Sequence, residues 1–288
     1  MDSEPKSCLL QIKSRYDTLT PAEKRIADLI TACGTEVISL SAAELAGRAG
    51  AAKSAVIRCC KSLGFSGYTE LKLSLAAELA KNRQLNYNPY IEPADTASSI
   101  LDKVFSANVK TLHDTAEHID RNMLQAVVSC LCTAQNIYIY GIGTSAALVQ
   151  DFQYRILLSG RTALAFTDVP TMKISTLNIR KGDVAFGISH SGRTIATINA
   201  LQLAQAQGAV TACITSYSES PIVRACDFPL AVYSDEIRYP MEAISARIAH
   251  ISVMDAIAIA LSARDFPQAQ ERARLSHALV NTIRYPGD

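Results

Sequence analysis

The segment NIYIYGIGTSA, residues 136–146, decides the fold of the C-terminal half of this chain. A short run of aliphatic and aromatic residues is typical of a buried strand, and the glycine-rich turn after it leads into an amphipathic segment at 146–158. Further runs of the strand type, with amphipathic segments between most of them, follow at 162–166, 183–189, 210–215 and 228–233. This alternation predicts a parallel five-stranded sheet with helices on both faces.

The first 80 residues predict a separate domain of short helices. Thr20 and Glu23 have the spacing of a capping box, and Gly34 can end the helix that they begin. Ser41 and Glu44 form a second box of the same kind. Apolar residues at helical spacing follow these signals and predict helices at 42–49, at 52–63 and from 68 onward.

The helices predicted at 42–49 and 52–63 form a helix-turn-helix arrangement with Gly50 and Ala51 as the turn. Residues 45–69 include four basic side chains and no acidic one, so this segment carries +4 while the rest of the +1 chain sums to −3. Helix 52–63 is predicted to bury Val56, Ile57 and Cys60, which turns its polar face outward. A solvated face of a helical domain is the alternative, but we predict contacts to DNA from Arg48, Lys53, Ser54, Arg58 and Lys61.

Residues 63–72 read LGFSGYTELK, and Leu45-Ala46, Gly50 and Val56-Ile57-Arg58 precede them at fixed spacing. With these residues the region resembles the N-terminal domain of RpiR-type bacterial transcriptional regulators. One departure is that Ala51-Ala52 stands where that family often has a Ser or Thr capping the recognition helix. Loss of such a cap typically costs about 1 kcal/mol of helix stability, and it removes a hydroxyl that could contact phosphate.

Two loops that follow strands carry the chemistry of the C-terminal half. The first strand ends in Gly141-x-Gly143-x-Ser145 and the third in Ser189-x-Ser191-Gly192-x-Thr194, and each loop leads into a helix. Glycines let the backbone approach an anion, and a helix N-terminus offers free N–H groups with a partial positive charge. Both loops fall at the carboxyl ends of strands, where open sheets bind ligands, so together they predict a phosphate site.

Two other interpretations of these loops remain open. The first loop also fits a dinucleotide fingerprint, G-x-G-x-x-A, with Asp168 placed to accept a hydrogen bond from a ribose. This interpretation leaves the Ser-x-Ser-Gly-x-Thr loop without a role. Alternatively, both loops are tight turns in which Ser and Thr cap the helices that follow.

The Ser189-x-Ser191-Gly192-x-Thr194 loop resembles the phosphosugar loop of the SIS (sugar isomerase) domain, and the likeness extends over about residues 123–265. The resemblance implies that the phosphate of a sugar phosphate is bound by Ser145, Ser189, Ser191 and Thr194. The candidate ligand site also includes Gly143, Thr144 and Gly192. His190 occupies a variable position of that loop and is expected at the rim of the site.

SIS domains also occur in isomerases, which need a base that moves a proton between adjacent carbons. Glu242, His190 and His250 are the candidates for such a base. Glu242 fits better as a charge near a helix N-terminus, and His250 lies within an apolar helix. Since no acid and base stand at a convincing spacing, we predict no catalytic residues and no enzyme.

Composition excludes several other classes of protein. Apolar residues make up 49% of the chain and charged residues 19%, which excludes a disordered chain. The eight cysteines form no CxxC pair and no zinc spacing, so we expect reduced, mostly inert thiols in a cytoplasmic protein without metal or cofactor. The apolar stretch 243–263 contains Arg247, His250 and Asp255, which favours a core helix over a membrane span.

The sequence thus predicts a protein of class α plus α/β, in which a helix-turn-helix domain precedes an SIS-type sheet domain. The predicted boundaries are 1–80 for the DNA-binding domain, 81–122 for a linker with its helix, 123–265 for the sugar-phosphate domain and 266–288 for a helical tail. The expected function is sugar-phosphate-responsive transcription regulation, with a phosphosugar isomerase as the alternative. The expected partners are operator DNA, a phosphorylated sugar and a second copy of the chain, as homodimer or homotetramer.

Overall fold

The computed structural model describes residues 7–84, 90–234 and 243–283. The chain divides into two units. One contains the residues up to Lys110, and the other the residues from Thr111 onward, apart from two short later segments that group with the first. The predicted domain boundaries at 80, 122 and 265 stay predictions, and residues 85–89 of the predicted linker lie outside the described residues.

The described part of the chain up to His118 is mainly helical. Its helices are α1 (Cys8–Arg15), α2 (Pro21–Ala32), α3 (Gly34–Val37), α4 (Ala42–Arg48), α5 (Lys53–Ser62), α6 (Tyr68–Gln84) and α7 (Ala97–His118). Both predicted capping boxes are present: Thr20 and Glu23 begin α2, and Ser41 and Glu44 begin α4. In each box the hydroxyl accepts a hydrogen bond from the third helical N–H, and the glutamate accepts one from the cap residue.

Helix α2 ends just before Gly34, as the sequence predicts, but this glycine does not adopt the left-handed conformation of a helix-ending glycine. The helix ends at Ala32, the N–H of the cap residue Cys33 donates to the Leu29 carbonyl, and Gly34 begins the one-turn helix α3. A Cβ on Gly34 would lie 3.4 Å from a methyl carbon of Leu79, which is an ordinary van der Waals contact, so packing against α6 does not require a glycine here.

The core of the helical unit is formed by aliphatic side chains from most of its helices. Fully buried members include Ile26, Ile30, Leu45, Leu63 and Leu75. These residues belong to one cluster with the buried side of α5, which fixes the orientation of that helix in the unit.

The second unit contains five parallel strands in the order β2-β1-β3-β4-β5. The strands are β1 (Ile137–Tyr140), β2 (Ala163–Phe166), β3 (Val184–Ile188), β4 (Val210–Thr215) and β5 (Phe228–Ala231). The remaining helices are α8 (Arg121–Thr133), α9 (Ala146–Leu158), α10 (Val169–Ser175), α11 (Ile195–Ala206), α12 (Ile244–Ala263) and α13 (Phe266–Asn281). The predicted strands and the helices between them are thus present, with small shifts of their ends.

Side chains on both faces of the sheet are buried. Ile137 and Ile139 pack on one face in a cluster with residues of α8, α9 and α12. Tyr138 and Tyr140 pack on the other face with residues of α10 and α11. Successive strand residues point to opposite faces, so this alternation confirms the predicted sheet with helices on both sides.

By its length and composition alone, helix α12 could cross a membrane, but half of its apolar stretch is buried within the unit. Ala249, Val253, Met254 and Ile257 belong to the cluster on one face of the sheet. These contacts agree with the prediction of a core helix.

Candidate functional site

The turn between α4 and α5 is held by an arginine from a third helix. Gly50 has φ +57°, the left-handed conformation that favours glycine. The guanidinium of Arg25 in α2 donates to the carbonyls of Ala49 and Gly50, each at 3.0 Å. A charge-assisted pair of bonds of this kind fixes the angle between α4 and α5.

All five residues predicted to contact DNA are exposed: Arg48, Lys53, Ser54, Arg58 and Lys61. The prediction that α5 buries Ile57 is wrong, because Ile57 is 36% exposed. Ala55, Val56, Cys59 and Cys60 face the core instead. Positions 55 and 56 and, one turn later, positions 59 and 60 form the buried side of α5. Ile57 lies just beyond the edge of that side.

Two of the exposed basic residues have polar contacts within the unit. Arg48 forms an ion pair with Glu36 at 2.6 Å, and both side chains are largely exposed. The guanidinium of Arg58 lies 3.5 Å from the hydroxyl of Ser54, one turn earlier on α5. Arg48 is thus held towards α3, whereas Ser54 and Arg58 form a polar patch on α5.

Helix α5 begins without a side-chain cap. Ala52 has the extended backbone of an N-cap residue, with φ −78° and ψ 151°, but it has no side-chain oxygen that could accept a hydrogen bond. At the other end, Arg15 donates to the carbonyl of Ser62 at 3.1 Å. Sequence reasoning missed Arg15 and Arg25 because their partners are backbone carbonyls far along the chain.

The two glycine- and hydroxyl-rich loops leave adjacent strands at the same edge of the sheet. β1 and β3 pair directly, and the chain leaves β1 towards α9 on one face and β3 towards α11 on the other. The strand order reverses its direction at this point, which is where open α/β sheets form a ligand crevice. The structure therefore brings together the two loops that the sequence singled out.

The Ser189–Thr194 loop is organised by its own hydroxyls. Ser189 is buried, and its Oγ lies 3.1 Å from Thr194 Oγ1 and accepts a hydrogen bond from the Gly192 N–H at 3.1 Å. The hydroxyl of Ser191 accepts from the Arg193 N–H at 3.3 Å. Thr194 is the N-cap residue of α11, yet it makes no capping bond to that helix.

Glycines are required at two points of this edge. A Cβ on Gly141 would lie 2.9 Å from the Ile188 carbonyl oxygen, so a side chain there would separate β1 from β3. Gly192 has φ +62°, and a Cβ on it would lie 2.0 Å from Ser220 Oγ. Gly143 and Thr144 are exposed, and Ser145 is buried at the start of α9, again without a capping bond.

Asp168 serves α10. Its carboxylate accepts a hydrogen bond from the Thr171 N–H at 3.0 Å and a second from the Thr171 hydroxyl. The bond from the hydroxyl contributes most and the bond from the N–H contributes next. Together they hold the pKa of Asp168 below its ordinary value. Asp168 is thus an N-cap, and the strand order is not the dinucleotide order 3-2-1-4-5-6, so the dinucleotide interpretation loses its support.

His190 and His250 are linked through one serine. His190 Nδ1 lies 2.9 Å from Ser216 Oγ, which lies 3.4 Å from His250 Nε2. Complete burial, with a smaller contribution from His190, lowers the pKa of His250 to about 3. His250 is therefore a neutral core residue at physiological pH. Glu242, the other candidate base, lies outside the described residues.

One cluster has the residue types of a metal site. His113, Asp114 and Glu117 in α7 have ligand atoms within 4.8 Å of one another. His113 and Glu117 lie 3.3 Å apart at helical i,i+4 spacing. An ordinary helix-surface pair explains this contact.

Comparison with known families agrees with the division into two units. Residues 6–82 match the helix-turn-helix domain of the rpiR family, and residues 131–260 match the SIS domain. Vibrio vulnificus NanR, whose structure was solved in complex with ManNAc-6P, has the same overall fold, with a TM-score of 0.62 at 22% identity over 97% of this chain and 100% of that one.

Full-length relatives are also found. An uncharacterised HTH-type transcriptional regulator of Caldanaerobacter subterraneus is 31% identical over 259 residues, which cover 90% of this chain and 91% of the relative. The bifunctional protein glk of Burkholderia thailandensis is 29% identical over 93% of this chain but only 41% of its own length. By these matches, the chain belongs to the RpiR family of HTH-type transcriptional regulators, with an SIS domain as its C-terminal part.

Proposed function

We propose that this regulator binds operator DNA through α5 and responds to a phosphorylated sugar bound between the loops that follow β1 and β3. The ligand-binding part of this proposal rests on the structure of the Ser189–Thr194 loop. This loop combines the buried hydroxyl of Ser189 and the half-buried hydroxyls of Ser191 and Thr194 with a glycine in the left-handed conformation and a helix N-terminus without a side-chain cap. Such a loop can surround an anion with donors that face inward.

The residues proposed for the ligand lie in the two loops. Ser189, Ser191 and Thr194 supply hydroxyls, and Gly192 lets the backbone turn closely around the anion. Ser145 lies at the start of α9, and the exposed residues Gly143 and Thr144 form the outer part of the first loop. The phosphorylated sugar in the similarly folded NanR supports the same class of ligand here.

The DNA half rests on the exposed face of α5. Lys53, Ser54, Arg58 and Lys61 share this face, and the N-terminus of the helix also favours a phosphate. Arg48 belongs to the same proposed interface, although its ion pair with Glu36 competes with DNA. Ile57 adds an apolar contact of the kind that recognises a thymine methyl group.

The regulator is proposed to act without turnover, in the cytoplasm and as a homo-oligomer on two half-sites. A phosphosugar isomerase would need a base beside the ligand, and the neutral, fully buried His250 does not fit that role. His190 is half-buried beside the proposed site and fits better as a residue at its rim. We infer no resident metal or cofactor.

Calorimetry with Ser191→Asp tests the ligand half. The carboxylate would place a negative charge where the phosphate has to lie, so we expect binding of sugar phosphates to be lost. Ser252→Asp is the matched control, because Ser252 is exposed on α12 of the same unit. A panel of sugar phosphates and their unphosphorylated sugars is titrated with each protein. If an unphosphorylated sugar binds as tightly as its phosphate, the assignment of the loop fails.

Coupling between the two sites separates the regulator from the isomerase. Operator DNA and sugar phosphate should change each other's dissociation constant by the same factor, because linkage is reciprocal. A useful switch needs about 1–3 kcal/mol of coupling. Proton NMR of the sugar phosphate after long incubation checks for isomerised product. Accumulation of product over many turnovers without any effect on DNA affinity would favour the enzyme instead.

A further inference from the structure

Two cysteine thiols meet beneath the proposed phosphate loop. Cys213 lies in β4 and is fully buried, and Cys226 is half-buried in the segment that leads into β5. Their sulfur atoms are 3.2 Å apart, closer than van der Waals contact and within reach of a weak hydrogen bond between the two thiols. A disulfide bond is about 2.05 Å long, so the two sulfurs need to approach by only about 1.2 Å.

The backbone on either side of this pair is fixed. Asp227, the residue after Cys226, accepts hydrogen bonds at 2.8 Å from both the N–H and the hydroxyl of Thr211 in β4. The Asp227 N–H donates in turn to the Thr211 carbonyl at 3.1 Å. Because Thr211 lies two residues before Cys213 on the same strand, these bonds hold the two thiols side by side.

We propose that Cys213 and Cys226 form an oxidation site, in which a hydroperoxide converts the two thiols into a disulfide under the Ser189–Thr194 loop. The Cys226 thiolate attacks the hydroperoxide. A sulfur–oxygen bond forms, the oxygen–oxygen bond breaks, and the leaving alkoxide takes a proton and departs as the alcohol. The Cys213 sulfur then attacks Cys226, the sulfur–oxygen bond breaks, and hydroxide leaves with the proton of Cys213 as water. Two thiols are oxidised and one hydroperoxide is reduced.

The different environments of the two cysteines set their roles. The contact with Cys226 and burial both raise the pKa of Cys213, so Cys213 remains a thiol and serves in the second step. Cys226 has the solvent access that the first step needs. Elsewhere burial raises the pKa of Cys60 to about 11 and of Cys59 and Cys130 to about 12, which disfavours their oxidation.

The disulfide would act on the proposed ligand site through Ile222. The carbonyl of Ile222 lies 4.0 Å from Cys213 Sγ, and the Ile222 N–H donates to the Gly192 carbonyl at 3.0 Å. Shortening of the sulfur–sulfur distance shifts this segment and therefore the Gly192 turn. We expect oxidation to weaken phosphate binding by about fivefold or more, a consequence that rests on the proposed function.

Peptide mapping by mass spectrometry of the folded chain, with and without hydrogen peroxide, tests the site. We expect one disulfide between Cys213 and Cys226, formed faster in the folded chain than in urea. Cys226→Ser should abolish it, and Cys132→Ser, the matched control at another partly buried cysteine, should leave it unchanged. Peroxide that leaves this pair reduced while other cysteines react, or that links other cysteines first, would overturn the proposal.

Calorimetry with inorganic phosphate on the reduced and the oxidised chain tests the consequence. Weaker binding by the oxidised chain supports the link through Ile222, and equal affinity refutes that link while the mapped disulfide stands. Absence of phosphate binding by the reduced chain would count against the proposed function of the loop. The mapping result is independent of that outcome, so the two failures are distinguishable.

Discussion

The N-termini of α5 and α11 face the two proposed anions, and neither has a side-chain cap. Ala52 has no side-chain oxygen that could cap α5, and the hydroxyl of Thr194 contacts Ser189 instead of capping α11. Six other helices are capped by a side chain at their N-terminus: α1, α2, α4, α8, α10 and α13. Helix α9, which begins at the proposed ligand site, also lacks a cap. An uncapped N-terminus is not sufficient by itself, since among the described helix starts those of α3 and α12 lack a cap as well.

The two sites differ in what forms them. The proposed DNA site consists of exposed side chains on a preformed helix, and each of them can be removed without disturbing the core. The proposed ligand site consists of buried hydroxyls and a backbone turn packed against β4 and its neighbours. A change in the ligand site should therefore alter stability and binding together, whereas a change in the DNA site should alter binding alone.

The largest effect is expected for Gly192→Ala. The new methyl group would lie 2.0 Å from Ser220 Oγ and 2.8 Å from Thr215 Oγ1, in addition to the strain of φ +62°. Overpacking costs about 1–3 kcal/mol and left-handed backbone strain about 1–2 kcal/mol, so the free energy of unfolding should fall by roughly 2–5 kcal/mol with loss of phosphate binding. Chemical denaturation and calorimetry measure the two effects.

Gly143→Ala is the matched control for Gly192→Ala. Gly143 has a similar φ of +61°, but a Cβ there meets no atom within 4 Å. Only the left-handed strain remains, about 1–2 kcal/mol. Equal losses of stability in the two variants would show that the close packing around Gly192 contributes nothing.

The next effect is a dependence of stability on pH that arises from His250. Its pKa is about 3 in the folded chain, below the ordinary 6.5. The unfolded chain binds more protons between these values, so stability is full above pH 6.5 and decreases as the pH falls towards 3. At pH 5 the loss should be about 2 kcal/mol.

Urea denaturation at pH 7.5 and pH 5.0 measures this effect. His250→Gln should remove most of the pH dependence, whatever its effect on stability at a single pH. His277→Gln, at an exposed histidine of α13, should retain it. A wild-type stability that is equal at the two pH values would contradict the buried, neutral state of His250.

The sequence was sufficient where local signals decide the structure. Both capping boxes, all five strands and the two loops at the edge of the sheet were predicted, because each depends on residues close together in the chain. Helices α1, α3 and α10 were missed. Ser7 caps α1, and Asp168 with the following proline begins α10, but Asp168 had been considered for a ribose.

What the sequence could not give depends on tertiary contacts. Arg25 holds the turn of the helix-turn-helix, but no sequence pattern indicates that it donates to the carbonyls of Ala49 and Gly50. The exposure of Ile57 depends on which side of α5 meets the core, and helical spacing alone does not fix the edge of that side. The approach of Cys213 and Cys226 likewise follows from the pairing of β4 with the segment that leads into β5.

A smaller effect is expected on the DNA side. Arg58→Ala and Lys61→Ala should each reduce the slope of log affinity against log salt by about one unit, at unchanged stability. A lost bidentate contact to guanine would cost about 1–3 kcal/mol in addition. Arg48→Ala should have less effect, because Arg48 is already paired with Glu36.

Fluorescence anisotropy over a range of salt concentrations, with operator DNA, measures the slopes. Lys181→Ala is the matched control, since it removes one exposed positive charge from the other unit. If Lys181→Ala lowers affinity as much as Arg58→Ala does, the net charge of the chain and not α5 determines binding.

The smallest effect is expected for Ala52→Ser, which supplies the cap that α5 lacks. The backbone at Ala52, with φ −78° and ψ 151°, nearly matches that of Ser41, with φ −76° and ψ 162°, where the serine hydroxyl does cap α4. The new hydroxyl should therefore reach an N–H of the first turn and stabilise the helical unit by about 1 kcal/mol. Thr20→Ala, which removes the cap of α2, should destabilise the unit by a similar amount and provides the matched control. Thermal unfolding of both variants measures the pair of shifts. If Thr20→Ala lowers the Tm and Ala52→Ser leaves it unchanged, the first N–H groups of α5 are already satisfied, and the proposed phosphate contact at that end would be ruled out.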